Sequence, residues 1–221
     1  MNRRKFFTTV GGLVIVAGPV WSAPNIENQR PLEVTGDAPP KRQVFLDAET
    51  TGCWPEDGHR IISIGAVEVI NGEKTGRRYC RFLDPGRDMY AAAHEVHGFA
   101  QGFFTGLPLF ENVWNDLKRF IQGSELLVHN APFDIDFLNS ELARINALPI
   151  EQHCSNITDT LVMARALHRG MRNDLTSLGV RYGIISYSDG FVRNPIANAE
   201  RLALVYRAMS AIGVEKNIGK I

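Results

Sequence analysis

Two acidic residues, Asp47 and Glu49, follow a short apolar run and could hold a cation between them. Residues 42–48 predict a buried first strand that ends in a turn. Side chains two positions apart lie on the same side of a strand, so these carboxylates repel each other unless a cation joins them. A solvated acidic sheet edge is the alternative. Thr50–Gly52 then supplies hydroxyl groups and a glycine that lets another group approach the backbone closely.

A third carboxylate, Asp134, is expected near the same end of the sheet. It closes the segment 129–134, His-Asn-Ala-Pro-Phe-Asp, where a strand is predicted to end and a helix to begin. Ligands bind at such strand ends in open α/β sheets. Alone, Asp134 is also typical of the first turn of a helix, where the helix dipole stabilises an acid. Together with Asp47 and Glu49, it favours a functional site over a solvated edge.

The elements that position these side chains follow from the apolar pattern. The predicted strands are 42–48, 60–70, 77–83 and 125–129, with a hairpin connection at 71–76. The predicted helices are 110–121, 132–147, 161–167, 175–182 and 196–209. Three antiparallel strands followed by strand–helix units predict an α/β fold, in which a mixed sheet carries helices on both faces.

The amino-terminal residues predict a signal peptide. Arg3, Arg4 and Lys5 precede an uncharged stretch from Phe6 to Ile26, and the arginine pair before an aromatic residue resembles the twin-arginine export motif. Export to the periplasm is therefore expected, with an uncleaved membrane anchor as the alternative. The predicted organisation is a signal peptide at 1–23, a linker at 24–41, a globular domain at 42–211 and a short tail at 212–221.

The composition is that of one soluble domain with a tail. The 221 residues are 44% hydrophobic and 22% charged, with 24 basic and 24 acidic side chains. A net charge of zero excludes a protein that coats DNA, because such affinity comes from clustered Lys and Arg, but a narrow cleft for a strand end remains allowed. Cys53 and Cys80 could pair in an oxidising compartment, and Cys154 is expected to be a small core residue.

Four segments resemble the motifs of the DEDD 3′–5′ exonucleases, and most of all those of the proofreading epsilon subunits. They are 45–52 (Phe-Leu-Asp-Ala-Glu-Thr-Thr-Gly), 65–69 (Gly-Ala-Val-Glu-Val), 96–98 (Val-His-Gly) and 129–134. The resemblance covers about residues 42–209 and implies an RNase H-like fold. It also implies that water removes nucleotides from a single-stranded 3′ end, or acts on a nucleotide, with two Mg²⁺ or Mn²⁺ ions clamping the attacking and leaving oxygens.

The resemblance assigns roles to individual residues. Asp47 would bridge the two ions, Glu49 would complete the first site, and Asp134 would act at the second, directly or through water. The positions that would line the pocket of the terminal nucleotide are Ala48, Thr50, Thr51, Gly52, His97, Asn130 and Phe133.

Two family positions carry residues that do not suit the usual mechanism. Asn198 stands where the family has its fourth aspartate, and Arg193 where it has the general-base histidine. The first metal site should bind more weakly, and losing a positioned base typically costs ~10²–10⁴ in rate. His129 could replace that base only if the strand end turned it inward.

Two hypotheses remain open from these departures. One is a slow or altered metal-dependent exonuclease. The other is an inactive pseudo-exonuclease that binds nucleic acid, a nucleotide or a protein, with Arg193 pairing with the acidic cluster in place of a metal. Residues 210–221 leave no room for a polymerase-binding tail and show no clamp-binding motif, so replication proofreading is not expected.

Overall fold

The computed structural model describes residues 40–89, 99, 102–186 and 194–218, and the side chains of the last helix up to residue 212. The chain divides between Glu33 and Val34 into two units, and all described residues belong to the second. The predicted signal peptide, His97 and Arg193 lie outside the described residues. Within the described ranges, no helix is both long and apolar enough to cross a membrane.

A mixed five-stranded sheet forms the centre of the fold. Its strands are β1 (Arg42–Thr50), β2 (Ile61–Ile70), β3 (Glu73–Phe82), β4 (Glu125–Val128) and β5 (Asn156–Asp159). They lie in the order β3-β2-β1-β4-β5, with the first three antiparallel and β4 and β5 parallel to β1. The predicted mixed sheet is confirmed. Because β1 and β4 are parallel neighbours, their carboxyl ends meet at the same edge, where α/β sheets bind ligands.

Five α-helices of the described residues pack around the sheet. They are α1 (Phe110–Ile121), α2 (Ala131–Arg144), α3 (Thr160–Leu167), α4 (Leu175–Arg181) and α5 (Pro195–Ile218). Buried residues of α1 and α2 pack on one face, and those of α5 pack on the other. A smaller apolar cluster joins α3, α4 and α5. Helices on both faces were predicted, and the structure confirms them.

The alternation of side chains along β1 decides which layer its acidic residues face. Val44 and Leu46 belong to the core with α1 and α2, whereas Phe45 belongs to the core with α5. Successive side chains of a strand point to opposite faces, so Asp47 and Glu49 share the face of Phe45. The two carboxylates therefore project toward the layer of α5.

One strand was not predicted, and several bounds differ from the predictions: β1 continues to Thr50, and α2 ends at Arg144 instead of residue 147. β5 was missed, because Asn156–Asp159 is short and polar and pairs with only one neighbour, so it lacks an apolar pattern. The hairpin connection is only Asn71–Gly72, both with positive φ, and β3 begins at Glu73. α5 continues to Ile218 instead of ending at residue 209.

Candidate active site

The end of β1 presents Asp47 and Glu49 beside the middle of β2. Asp47 lies opposite Gly65, and Glu49 lies opposite Ser63. The register shifts between Glu49 and Thr50, which makes a bulge directly after the second carboxylate. Bulges bend a strand and re-aim its side chains, and they are frequent next to active sites. The register of β1 against β2 thus changes directly after the two carboxylates.

Gly65 allows the first turn of α5 to lie against the sheet opposite Asp47. A Cβ atom at this position would lie 2.1 Å from the Pro195 carbonyl oxygen and 2.7 Å from Ile196 N. Any other residue would push the helix away from β2. The absent side chain of Gly65 thus sets how closely α5 approaches Asp47, and so how far Asn198 can reach.

Asn198 bridges the two carboxylates of β1 through its side-chain amide. Its Nδ2 atom donates to Asp47 Oδ2 at 3.0 Å and to Glu49 Oε1 at 3.3 Å. Hydrogen bonds to charged acceptors typically contribute about 1.5–3 kcal/mol each. Asn198 Oδ1 is buried and has no hydrogen-bond partner among the described residues. The prediction placed Asn198 beside the carboxylates, and the structure shows that it meets them as a donor.

Asp134 reaches the same site from the first turn of α2. Its Oδ1 atom accepts a hydrogen bond from the Ala48 backbone N–H at 2.9 Å, and only 5% of the residue is exposed. Burial, followed by the negative charge of Asp47, raises the pKa of Asp134 well above its usual range, and Glu49 adds to the effect. A cation in the cluster would reverse the electrostatic part of this shift. The structure therefore brings the three predicted carboxylates together.

The donor set suits a hard divalent cation, although its present arrangement does not form a finished metal site. Within the described residues, no three Asp, Glu, His or Cys side chains are arranged to hold an ion as they stand. The carboxylates of Asp47 and Glu49 meet the Asn198 amide nitrogen, and Asp134 binds the backbone. All these potential ligands are oxygens, including the Asn198 carbonyl oxygen, which lacks a hydrogen-bond partner within the described ranges. Rotating that amide by 180° would turn this oxygen toward Asp47 and Glu49. An ion bound there would then contact oxygen atoms only, so the residues fit a divalent cation.

The loop after β1 uses the side chains of Thr50 and Thr51 to hold its own shape. The Thr50 hydroxyl donates to the Gly52 carbonyl oxygen at 2.7 Å. Thr51 is 0% exposed, and its hydroxyl lies 3.0 Å from His59 Nδ1 and accepts from Arg60 N at 3.0 Å. A Cβ at Gly52 would lie within 2.5 Å of the His59 ring. The loop is thus tightly packed, and the Thr51 side chain supports it from inside.

The remaining predicted substrate positions lie at the start of α2. Asn130 has φ 72°, in the left-handed region that Asn tolerates better than most residues, and its N–H donates to Asp159 Oδ1 at 3.1 Å. Phe133 is half-buried, with its ring 5.0 Å from that of Phe137. Ala48 is almost fully buried and contributes its backbone N–H to Asp134.

His129 is held in place by bonds to both ring nitrogens. Nδ1 lies 2.9 Å from the Thr160 hydroxyl, and Nε2 lies 2.8 Å from the Asn173 carbonyl oxygen, to which it must donate. Burial lowers the pKa of His129. Both nitrogens are thus engaged, one by Thr160 at the start of α3 and the other by Asn173 in the loop before α4, so the ring supports that region and does not replace the missing base.

Arg201 is a site residue that the sequence analysis did not identify. It is 6% exposed and follows Asn198 by three positions on α5, so both lie on one helix face. Its Nε atom is buried without a hydrogen-bond partner in the described part of the chain. The sequence did contain an indication of this position. Arg201 is a charged residue on the same helix face as the apolar residues Val205 and Met209, which are buried.

A cluster of carboxylates at the end of the central strand of such a sheet is the arrangement of the RNase H-like exonucleases. The exonuclease (RNase_T) family profile matches residues 44–185. The chain is similar to the DNA polymerase III subunit epsilon of Rickettsia typhi, at 41% identity over 170 residues that cover 76% of this chain and 74% of that protein. Its similarity to the Pasteurella multocida subunit is 39% over 175 residues, covering 77% and 69%. The chain belongs to the exonuclease family and is a 3′–5′ exonuclease-like hydrolase of the DEDD type.

Solved structures agree with this fold at low sequence identity. The nuclease domain of 3′hExo, a DEDDh family member bound to rAMP, superposes with a TM-score of 0.65 at 16% identity, covering 80% of this chain and 96% of that one. Exonuclease X in complex with 5′ overhanging duplex DNA gives a TM-score of 0.56 at 19% identity, covering 77% and 93%. These likenesses confirm the RNase H-like fold.

Proposed function

We propose that this protein is a slow, metal-dependent 3′–5′ exonuclease that removes nucleotides from single-stranded nucleic-acid ends. The observation that carries the proposal is the meeting of Asp47, Glu49 and Asp134 at the carboxyl ends of β1 and β4, in a chain of the exonuclease family. Related folds carry DNA, single-stranded DNA or rAMP in their solved structures. These ligands support a nucleic-acid end or a nucleotide as the partner.

The chain's own residues define what the site can do. Asp47, Glu49 and Asp134 would hold Mg²⁺ or Mn²⁺, with the Asn198 carbonyl oxygen as a neutral fourth ligand. Such ions activate water and stabilise the charge of the leaving oxygen in phosphodiester hydrolysis. Because Asn198 supplies no charge, the first of the two ions should bind more weakly than with four carboxylates. Both ring nitrogens of His129 are engaged elsewhere, so this histidine is not available to take the proton from water.

Hydrolysis of an end-labelled strand tests this proposal directly. Single-stranded DNA and RNA, labelled at the 5′ end, are incubated with the purified protein in Mn²⁺, Mg²⁺ or chelator. We expect slow stepwise shortening from the 3′ end in Mn²⁺ and none in chelator. Asp134→Asn should abolish it, whereas Asp136→Asn, which changes an exposed carboxylate of the same helix, should not. Equal shortening by both variants would contradict the assigned site.

Metal binding is a second, independent test of the site. Calorimetry with Mn²⁺ should show binding to the wild-type protein, and Asp47→Ala should abolish it, because this residue is assigned to bridge both ions. Asp136→Asn again serves as the matched control. Absence of any Mn²⁺ binding to the wild-type protein at millimolar concentration would contradict a metal-dependent enzyme.

A pseudo-exonuclease is the second candidate, and the Asn198 amide favours it. The amide satisfies Asp47 and Glu49 with hydrogen bonds, so the cluster is stabilised without an ion. A binding module of this kind would retain a labelled strand or nucleotide in chelator, without shortening it in Mn²⁺. Fluorescence polarisation in chelator, followed by analysis of the strand after addition of Mn²⁺, separates the two functions.

We also infer that the protein is exported through the twin-arginine route and acts in the periplasm. The support is Arg3 and Arg4 before the uncharged stretch at the amino terminus. Fractionation of cells that carry the full gene should place the protein in the periplasm. The Arg3→Lys/Arg4→Lys variant should remain inside, and equal export of this variant would contradict the inference.

A further inference from the structure

Arg201 lies on a face of α5 whose following positions carry buried apolar side chains. Val205 and Met209, four and eight positions further along α5, belong to a buried cluster with Ala164 of α3 and Leu178 of α4. Positions separated by four lie on one face of a helix. At the other end of this stripe, three positions before Arg201, Asn198 contacts Asp47. Arg201 therefore stands where the apolar cluster ends and the carboxylate site begins.

A glycine on the adjacent helix α4 lets both Ile185 and this arginine pack closely against that helix. A Cβ atom at Gly179 of α4 would lie 3.3 Å from Arg201 Cδ. The aliphatic part of the side chain thus runs along the backbone of α4, and the residue is 6% exposed. An arginine stays protonated in proteins, so its charge remains buried with it.

A buried charge costs several kcal/mol unless an opposite charge or hydrogen bonds compensate it. Arg201 Nε has no hydrogen-bond partner in the ranges that the structure describes. Burial lowers the pKa of Arg201, and the negative charge of Asp47 is what opposes this effect. Among the described residues, the Asp47 carboxylate, which the proposed function assigns to the metal, is thus a negative charge that helps to compensate Arg201.

We propose that Arg201 is a built-in cation of the carboxylate site that competes with a divalent ion for Asp47. Arg201 acts through Asp47 and is a positioning residue. When no ion is bound, its charge and the Asn198 amide together stabilise Asp47. When an ion binds, two positive species share one carboxylate, and the affinity for the ion falls. The inference rests on the proposed metal-dependent function and names the residue that tunes it.

One difference from an ordinary core arginine lies in the buried Nε atom of Arg201, which has no hydrogen-bond partner in the described part of the chain. A structural arginine would make several hydrogen bonds from its five donors, as Arg60 does with both oxygens of Glu141 at 2.7 Å. Arg201 Nε and Asn198 Oδ1 have no such partners in the described residues. In the described residues, the directional bonds to Asp47 and Glu49 come from the Asn198 amide, so Arg201 adds charge to the site.

Mn²⁺ affinity, measured on the full-length protein by calorimetry, tests the proposal without any need for activity. Arg201→Met removes the charge and keeps an unbranched apolar side chain, whereas Arg201→Lys keeps the charge. Arg207→Met is the matched control, since Arg207 is an exposed residue of the same helix, 3.8 Å from Glu73. We expect Arg201→Met to tighten Mn²⁺ binding about tenfold or more, equivalent to at least about 1.4 kcal/mol. Arg201→Lys and Arg207→Met should bind within about threefold of wild type.

Each outcome decides the matter. An Arg201→Met protein that is folded by circular dichroism but binds Mn²⁺ no more tightly than wild type would overturn the proposal. If Arg201→Met folds only with Mn²⁺ present, the metal has replaced the missing cation, which supports it. If neither Arg201→Met nor Arg201→Gln folds even in millimolar Mn²⁺, Arg201 is a folding residue and the proposal is wrong. If no protein in the series binds Mn²⁺, the metal-dependent function itself fails, a result distinct from unchanged affinity.

Discussion

Replacing Asn198 with aspartate should lower the stability of the metal-free protein and raise its affinity for a divalent metal ion. In the structure, the Asn198 amide donates to Asp47 at 3.0 Å and to Glu49 at 3.3 Å. Asn198→Asp removes both bonds and places a fourth carboxylate there. Two hydrogen bonds to charged groups contribute about 3–6 kcal/mol together. A loss of that size lowers the melting temperature by about 6–24 °C, since 1 kcal/mol shifts a domain of this size by about 2–4 °C.

Thermal unfolding in chelator and in Mn²⁺ measures both sides of this exchange. In chelator, Asn198→Asp should melt well below wild type. In Mn²⁺ at 100 times the variant's dissociation constant, binding adds about 2.7 kcal/mol to the stability of the variant. Wild type should bind Mn²⁺ more weakly, so it should gain less at the same concentration. Asn194→Asp is the control, because Asn194 Oδ1 accepts a hydrogen bond from Ile196 N, a role that a carboxylate also fills.

The result that would refute this reasoning is a variant as stable as wild type in chelator. It would mean that the amide does not hold the two carboxylates together. A variant that is destabilised in chelator, but gains no more from Mn²⁺ than wild type gains, would refute only the assignment of this position to the metal.

Three further predictions test the site from other directions. Because the raised pKa of Asp134 lets the native protein keep a proton that the unfolded chain releases, metal-free stability should fall as pH rises from about 4 through the raised pKa. Asp134→Asn should reduce that slope in urea unfolding, and an unchanged slope would show that another group titrates. Gly65→Ala places a Cβ 2.1 Å from the Pro195 oxygen, so it should cost about 1–3 kcal/mol or more in urea unfolding and weaken Mn²⁺ binding; normal affinity would mean that α5 tolerates the shift. Finally, the double variant Arg193→His/Asn198→Asp should cleave faster in single-turnover assays than the product of the two single effects, because the base and the metal act on the same water. A double variant that is no faster than wild type would contradict the assignment of these two positions.

The acidic residues could be found from the sequence because each belongs to a short, contiguous pattern. Asp47 and Glu49 end an apolar strand, and Asp134 opens a helix after another strand, so local periodicity places them at strand ends. The segment Asn156–Asp159 shows the limit of this approach. Its four residues carry no apolar alternation, and only pairing with β4 makes them a strand.

The sequence alone determined the fold class, the three carboxylates and the two altered family positions, because these depend on local patterns and motifs. Tertiary structure decided how Asn198 uses its amide, since either end of that group could have faced the carboxylates. It also decided the place of Arg201, whose charge matters only because α5 lies against Gly65 and brings that helix face to Asp47. Electrostatic interactions depend on distance and burial, and neither is set until helices and strands from distant parts of the chain pack together.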